Sequence, residues 1–223
     1  MNLTSANSIN IARWLPQMFY FFFAYKQLKN KSKKVICSVP SGNFGNICAG
    51  LMAKRLGLPI DKFIAATNIN DVVPKYLNTG NYDIRSSVQT ISNAMDVGNP
   101  SNFIRIATMY NNNLKALKND LIGFSYTDEE TRQAMQQLYK NYKYIADPHG
   151  AIGYLALRDY MQNQSHLNGI FLETAHPIKF LNVIDKRIGD TLAIPSQIAA
   201  VMDGKKQTIP IEKYADFKAV LGN

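Results

Sequence analysis

The sequence predicts an α/β fold in which an open parallel sheet has flanking helices. Short runs rich in apolar and β-branched residues at 35–39 and 62–67 have the composition of buried strands. A helical segment at 45–56 joins them, and Gly57 and Pro59 end that helix. Two strands joined by a helix of this length form a βαβ unit, which requires parallel strands and a right-handed crossover.

The other elements follow from local start and stop signals. Ser8 or Asn10 is expected to cap a helix at 11–28, whose apolar run should be buried. Thr127 with Glu130 three residues later forms a capping-box pattern that opens another helix. Further helices are expected at 72–77, 101–118, 148–161 and 176–186, with a buried strand at 170–173 and a loop-rich stretch at 71–102.

Two segments organise the chain in this interpretation. Residues 1–194 are expected to form one α/β domain, and residues 195–223 a surface extension that ends in a short helix. At 223 residues with 46% hydrophobic and 18% charged residues, the chain is long and apolar enough for a sizeable core.

The positive charge is concentrated in the first quarter of the chain. The net charge is +9, and no Asp or Glu precedes Asp61. Such asymmetry favours either a small-anion site or a solvated basic loop at 26–34. Aromatic residues do not interleave with these lysines as a single-strand binding groove requires, so no nucleic-acid partner is expected.

The two cysteines and the apolar run at 14–25 indicate in which compartment of the cell the protein lies. Cys37 and Cys48 flank a loop without metal-ligand spacing, so no metal site is expected, and both thiols should pack as reduced, small apolar groups. The run at 14–25 contains Pro16 and Gln17 and is shorter than the roughly 20 residues of a membrane span. A cytoplasmic protein without a membrane partner is therefore predicted.

The strongest chemical signal is Val39-Pro-Ser-Gly-Asn-Phe-Gly-Asn46, between a predicted strand and a predicted helix. Glycines allow close approach of the backbone to an anion, and free N–H groups at a helix start point towards it. Neither the Walker loop nor the dinucleotide GxGxxG pattern is present, so a monophosphate fits better than a diphosphate. The side chains of Ser41, Asn43 and Asn46 could add hydrogen bonds; a plain strand-to-helix turn remains the alternative.

Two further segments carry polar groups. Ser5-Ala-Asn-Ser-Ile-Asn precedes a helix start, and Arg13 follows within two turns, a pattern suited to phosphate or carboxylate. Its alternative is a capped helix with one surface arginine. Phe171-Leu-Glu-Thr-Ala-His-Pro177 runs from a strand into a turn, where ligands of parallel sheets usually bind. For His176, as for His149, a capping or packed histidine is the simpler interpretation.

Five segments taken together resemble threonine synthase, in order and at similar separations. They are the Ser5 segment with Arg13, the Val39–Asn46 loop, Phe63-Ile-Ala-Ala-Thr-Asn68, Ser92-Asn-Ala-Met-Asp96, and Thr174-Ala-His-Pro-Ile-Lys-Phe180. The resemblance covers the carboxy-terminal part of the family's chain. It implies a pyridoxal-phosphate (PLP) enzyme of fold type II, similar to the tryptophan synthase β-subunit, with its large domain incomplete in this sequence.

The resemblance also implies roles for particular residues. The cofactor phosphate would be held by Ser41, Gly42, Asn43, Phe44, Gly45 and Asn46. Thr174 would bind the pyridine nitrogen. Asn7, Ser8 and Arg13 would hold the phosphate of O-phosphohomoserine, which the family converts with water to threonine and phosphate. Two phosphates in one cleft would explain part of the basic bias.

The sequence departs from the family in one large respect. Neither the lysine that holds the cofactor covalently nor the loop that binds the substrate carboxylate is found in it, so no catalytic residue is assigned and the chain alone is expected to be inactive. Lys54 and Lys179 lie in the wrong context to replace that lysine. Glu173 stands where many relatives have a small residue. A homo-oligomer is possible.

Two other functions stay open at this point. One is a different fold-type II PLP lyase, which would not require the Asn7, Ser8 and Arg13 group. The other is a non-catalytic domain that binds a phosphoanion.

Overall fold

The computed structural model describes residues 7–202 and 204–222. The beginning of the Ser5 segment therefore lies outside the described residues. Four parallel strands form one sheet in the order β3-β2-β1-β4: β1 Val35–Pro40, β2 Lys62–Thr67, β3 Leu121–Ser125 and β4 Asn168–Phe171. Because all strands are parallel, their carboxyl ends lie at one edge of the sheet.

Helices cover both faces of this sheet. The α-helices of the described residues are α1 Trp14–Lys26, α2 Gly45–Arg55, α3 Val72–Thr79, α4 Phe103–Met109, α5 Leu114–Asp120, α6 Asp128–Tyr142, α7 Pro148–Met161, α8 Lys186–Gly189, α9 Ser196–Met202 and α10 Tyr214–Gly222. Side chains of β1 alternate between two cores, since Cys37 packs with α1 and α2 while Ile36 packs with α6 and α7. The predicted α/β class, the βαβ unit and the capping box at Thr127 are confirmed.

The prediction of one helix at 101–118 is wrong. Two helices, α4 and α5, occupy this stretch, and Asn111 and Asn112 between them have φ of 52° and 55°. Asparagine tolerates this left-handed conformation better than most residues, so the pair ends α4. Asn113 then caps α5 by accepting a hydrogen bond from the backbone N–H of Ala116. Strand β3, which follows directly, was not predicted.

The predictions around 170–186 are also partly wrong. The strand begins at Asn168 and is half-buried, because β4 is an edge strand with one neighbour. Instead of one helix at 176–186, the chain forms a 3-10 helix at Pro177–Phe180 and then α8. Asp185 caps α8 separately by accepting from the backbone N–H of Arg187, which makes a new helix start.

Helix α1 was predicted to be buried, and this is wrong for most of its surface. A 3-10 helix at Ile11–Arg13, capped by Asn10, precedes it. Only Trp14, Met18 and Phe21 of α1 are buried. The exposed apolar side chains are Leu15, Phe19, Tyr20, Phe22 and Phe23. One face of α1 therefore packs on α2, and a second apolar face is exposed.

The chain divides into two compact units, one ending at Asp190 and one beginning at Thr191. The second contains α9 and α10, and the described side chains of these two helices are exposed. The boundary expected at 194 stays a prediction. Within the described ranges, none of the helices combines the length and apolar character that a membrane crossing demands. Cys37 and Cys48 are both buried and unpaired, as expected for small apolar groups.

Candidate phosphate site at the carboxyl edge of the sheet

The turn between β1 and α2 presents backbone N–H groups. Ser41 still pairs with the sheet through its N–H and the carbonyl of Ala66, at 2.8 Å. From Gly42 to Asn46, no backbone N–H donates a hydrogen bond to another described residue. Phe44, with φ of 62°, turns the chain sharply just before α2 begins. Unpaired N–H groups at the start of an 11-residue helix form a natural anion site, and we call residues 42–46 the cradle.

The polar side chains of the cradle region shape the turn itself. Asn43 donates to the Ser8 hydroxyl at 2.8 Å and accepts from the backbone N–H of Ser101 at 2.6 Å. Asn46 donates to the carbonyl of Pro40 at 2.8 Å, and the Ser41 hydroxyl donates to the carbonyl of Val39 at 2.9 Å. The donors left for a ligand are therefore mainly backbone N–H groups, and the side chains hold those groups in place.

The two glycines of the cradle have different surroundings. A Cβ on Gly42 would lie 2.6 Å from the carbonyl oxygen of Ala94 and 2.8 Å from the Cα of Met95, both backbone atoms. A Cβ on Gly45 would lie 3.3 Å from the Cβ of Ser8, a tight but tolerable contact. Gly42 is thus required by the close approach of the Ser92–Asp96 segment.

The structure brings one of the three predicted substrate-phosphate residues to the cradle. Ser8 contacts Asn43 and accepts from the side chain of Asn102 at 3.4 Å. The Asn7 side chain accepts from the backbone N–H of Ile9 at 3.0 Å, a local turn contact. Arg13 ends the 3-10 helix with an exposed side chain. Sequence inspection missed Ser101 and Asn102, because Ser101 lies 58 residues from Asn43 and Asn102 lies 94 residues from Ser8 along the chain.

The turn after β4 lies at the same edge of the sheet as the cradle. The N–H of Leu172 donates to the carbonyl of Ser38 in β1 at 3.0 Å, which keeps the two chains side by side up to this edge. Thr174 follows two residues later and is exposed. His176 caps the 3-10 helix, because its Nδ1 accepts from the backbone N–H of Ile178 at 3.2 Å. The simple interpretation of this histidine as a cap is therefore correct.

A buried acidic cluster lies behind Thr174. Asp147 caps α7, and its Oδ1 lies 2.5 Å from Nδ1 of His149. The N–H of Ala94 donates to Nε2 of His149 at 3.2 Å, which leaves the imidazole proton on Nδ1. The backbone N–H of Asp147 donates to Oε1 of Glu173 at 2.9 Å. His149 is thus a packed histidine that links the cluster to the Ser92–Asp96 segment.

The two carboxyl groups of this cluster differ in acidity. Burial, reinforced by the side chain of Asp147, raises the pKa of Glu173 to about 8. Burial also acts to raise the pKa of Asp147, but hydrogen bonds from His149 and Glu173 outweigh it and hold that pKa below its usual value. At neutral pH, Glu173 is therefore protonated and Asp147 ionised.

The lysine-rich turn is far from this edge. Lys29, Lys31, Lys33 and Lys34 precede the amino end of β1, opposite the cradle. Lys34 pairs with Asp61 at 3.0 Å. For these lysines the solvated-loop interpretation therefore fits better, and the share of the basic bias that phosphate binding explains stays a prediction.

Comparison with known proteins assigns the chain to a family. Residues 4–169 match the family model described as pyridoxal-phosphate dependent enzyme, and residues 150–221 match the model for the carboxy-terminal part of threonine synthase. The threonine synthase of Escherichia coli K12 is 43% identical over 99% of this chain and 50% of its own length. That of Haemophilus influenzae Rd is 47% identical over 89% of this chain and 46% of its own length.

Solved structures agree with this assignment. The crystal structure of threonine synthase from Escherichia coli has a TM-score of 0.88 at 41% identity, covering 99% of this chain and 51% of that one. The PLP-bound threonine synthase from Brucella melitensis has a TM-score of 0.81 at 32% identity, covering 92% and 49%. Serine racemase from Dictyostelium discoideum, at 18% identity and a TM-score of 0.54 over 73% of this chain and 49% of its own, shares the fold.

The chain thus spans about half the length of the curated relatives it matches. The predicted resemblance, the fold type and PLP as the family's cofactor are confirmed. The individual site residues stay predictions.

Proposed function

This chain belongs to the pyridoxal-phosphate-dependent enzyme family, and from that premise we propose that it forms the phosphate-binding part of a threonine synthase active site. The reaction of the whole enzyme is the conversion of O-phospho-L-homoserine and water to L-threonine and phosphate. In this proposal the chain contributes anion binding and orientation. When bound, PLP supplies an electron sink that stabilises negative charge on the substrate carbons.

The observation that carries this proposal is the set of unpaired backbone N–H groups from Gly42 to Asn46. The side chain of Asn43, fixed by Ser8 and Ser101, holds the turn in its shape without consuming these donors. A phosphate monoester has the acceptors to satisfy several such groups at once. The residues present therefore fit the phosphate of PLP.

Thr174 and the 7–13 segment complete the proposed site. Thr174 is exposed at the same edge as the cradle, so its hydroxyl is available to the pyridine nitrogen. Ser8 adjoins the cradle through Asn43, and Arg13 offers the rigid guanidinium fork that pairs with phosphate. Asn7, Ser8 and Arg13 are proposed to bind the phosphate of the substrate, which orients it and helps this phosphate to leave.

The covalent lysine of the family is expected to come from polypeptide other than these 223 residues. The exposed apolar face of α1 supports this expectation, since Phe19, Tyr20 and Phe23 are each more than half exposed, at 58%, 68% and 64%. Such a contiguous apolar face normally packs against another protein segment. We therefore expect no release of threonine or phosphate from O-phosphohomoserine by this chain alone. Turnover near that of a full-length relative would contradict this.

Phosphate binding is tested by placing a negative charge in the cradle. Asn43→Asp preserves the shape, because the Ser8 hydroxyl can reverse its hydrogen bond and Ser101 still has its acceptor. We expect an affinity for PLP and for inorganic phosphate lower by at least about tenfold, or ~1.4 kcal/mol, through charge repulsion. Binding is measured by PLP absorbance and by calorimetry with phosphate.

Asn113→Asp is the matched control for that experiment. Asn113 caps α5 away from the cradle, and aspartate is an equally good cap, so this variant adds the same charge without touching the turn. Equal loss of binding in both variants would mean that the cradle does not bind the phosphate.

The substrate part of the proposal has a separate test. Arg13→Ala is expected to weaken binding of O-phosphohomoserine and to leave binding of homoserine unchanged, because only the first carries a phosphate. Equal affinities of the unmodified chain for both compounds would instead favour another PLP lyase of this fold type.

A cytoplasmic location, the absence of a nucleic-acid partner and a homo-oligomer are further predictions.

A further inference from the structure

Two buried carboxyl oxygens of the acidic cluster have no ordinary hydrogen-bond partner. They are Oδ2 of Asp147 and Oε2 of Glu173, for which the described residues supply no donor. A buried polar atom without a partner destabilises the folded state, and more so if it is charged. Two such atoms on neighbouring carboxyl groups therefore demand a physical explanation.

The other oxygens of the same carboxyl groups are fully engaged. Oδ1 of Asp147 accepts from the backbone N–H of His149 at 2.8 Å and from its imidazole at 2.5 Å. Oε1 of Glu173 accepts from the backbone N–H of Asp147 at 2.9 Å. A side-chain hydrogen bond between Asp147 and Glu173 contributes to the pKa shifts of both carboxyl groups, so their two remaining oxygens lie close together.

We propose that Asp147 and Glu173 share one buried proton, held in a carboxylic acid–carboxylate hydrogen bond between Glu173 Oε2 and Asp147 Oδ2, and that this pair positions Thr174. One proton satisfies both oxygens at once. It also removes the repulsion between two adjacent carboxylates, which cannot both be ionised in a buried site. The proton resides on Glu173, because the two hydrogen bonds from His149 stabilise Asp147 as the anion.

The pair ties the turn after β4 to the amino end of α7. A Cβ on Gly150 would overlap the Glu173 carboxyl group, with Oε2 at 1.7 Å, so this carboxyl group rests directly on the first turn of α7. Glu173 immediately precedes Thr174 in the chain. Fixing the Glu173 side chain on α7 therefore fixes the backbone from which the Thr174 hydroxyl projects. This positioning role depends on the proposed function, whereas the shared proton does not.

Three titratable groups face Glu173. They are Asp147, which caps α7, His149 in the first turn of α7, and Tyr144 in the segment before it. Burial, reinforced by the neighbouring carboxyl groups of Glu173 and Asp147, raises the pKa of Tyr144. Tyr144 therefore stays neutral below pH 9, and Nε2 of His149 accepts from the backbone N–H of Ala94. Ionisation of Glu173 is thus the expected titration of this cluster between pH 5 and 9.

The sign of the pH effect follows from the raised pKa of Glu173. The folded chain keeps the proton up to a pKa of about 8, while an unfolded chain releases it near the ordinary value of about 4.3. The folded state therefore loses relative stability as pH rises between these two values. This contribution is fully present below about pH 4 and absent above about pH 8.

The shared proton can be observed directly. The chain has only four glutamates, Glu129, Glu130, Glu173 and Glu212, so side-chain carboxyl-labelled glutamate gives four carbon signals. We expect one signal, the one absent in Glu173→Gln, to titrate several pH units above the ordinary glutamate value of about 4.3. Four glutamates titrating together near the ordinary value would overturn the proposal.

Substitutions then separate the shared proton from simple packing. Glu173→Gln replaces the acid proton with an amide N–H that donates to Asp147 at every pH, so the fall in stability between pH 5 and 8 should largely disappear. Asp147→Asn can donate to an ionised Glu173, whose signal should then titrate at a lower pH than in the unmodified chain, although burial, the larger cause, still keeps its pKa raised. The double variant places two amide donors face to face, and we expect its loss of stability to exceed the sum of the single losses.

The positioning role is read from hydrogen exchange of the backbone amides at 174–176 and 178, since Pro177 has no N–H. Exchange should be similar in the unmodified chain and in Glu173→Gln, and faster in the double variant. The two carboxyl groups do not act as a pair if the double variant loses only as much stability as the two single variants together and exchange at 174–176 and 178 is unchanged. Because these measurements use the chain without PLP, a negative result here is distinguishable from failure of phosphate binding.

Discussion

The turns after β1 and β2 occupy equivalent places in the fold but treat their polar groups in opposite ways. Both follow central strands at the carboxyl edge of the sheet, and both contain asparagine. The turn after β2 is closed: the side-chain amide of Asn68 donates to Thr90, Ser92 and Asp96 at 2.8–3.1 Å. The cradle after β1 is open, because its backbone N–H groups have no partner among the described residues.

This difference separates a structural turn from a binding turn. Asn68 is 1% exposed, and its carbonyl oxygen accepts from the backbone N–H of Asn70 at 2.9 Å, so that every polar atom of its side chain has a partner within the chain. Asn43 also bonds within the chain, but leaves the N–H groups around it unused. Composition is similar in both turns; hydrogen-bond satisfaction distinguishes them.

The largest expected effect is on the closed turn. Asn68→Ala removes the central donor of a buried hydrogen-bond network and leaves the acceptors of its amide without this donor. The free energy of unfolding should therefore fall by about 2–4 kcal/mol. Urea denaturation measures it. A loss below that caused by Asn46→Ala would contradict the view that the turn after β2 is structural.

Phosphate should distinguish the two turns next. At about 100 times its dissociation constant, a ligand that binds only the folded chain stabilises it by about 2.7 kcal/mol. Inorganic phosphate should slow hydrogen exchange of the amides at 42–46 and leave those at 68–70 unchanged beyond this global effect. Equal protection of both turns would remove the distinction.

Substitution of the glycines of the open turn by alanine should cause a smaller loss of stability. Gly42→Ala forces a Cβ against the backbone of Ala94 and Met95 and should destabilise the chain by about 1–3 kcal/mol. Gly45→Ala meets a side chain at 3.3 Å and should cost less than about 1 kcal/mol. Thermal unfolding of the two variants in parallel checks the order, and a reversed order would show that Gly42 is not constrained by the Ser92–Asp96 segment.

A small loss of stability is also expected at Asn46. This half-buried side chain makes one bond to the Pro40 carbonyl and one to the N–H of Ile47, so Asn46→Ala should cost about 0.5–1.5 kcal/mol. Denaturant unfolding is again the measurement. A cost comparable to that of Asn68→Ala would mean that the open turn is as tightly held as the closed one.

Several features of the molecule are already determined by the sequence, because their signals are local. The β-branched runs of β1 and β2 and the glycine and proline that end α2 lie within the elements they define. The capping box of α6 and the proline at the start of α7 are equally local, and α7 spans the predicted 148–161. The cradle was recognised for the same reason, as a strand-to-helix turn with two glycines.

Tertiary structure alone decided how these local pieces are used. The amide of Asn43 is held by Ser101 from 58 residues away, and the carboxyl group of Glu173 meets the N–H of Asp147 from 26 residues away. The exposed face of α1 likewise depends on which elements pack on it. Periodicity and capping signals act within a few residues, whereas hydrogen-bond satisfaction, burial and proton sharing depend on which distant groups the fold brings into contact.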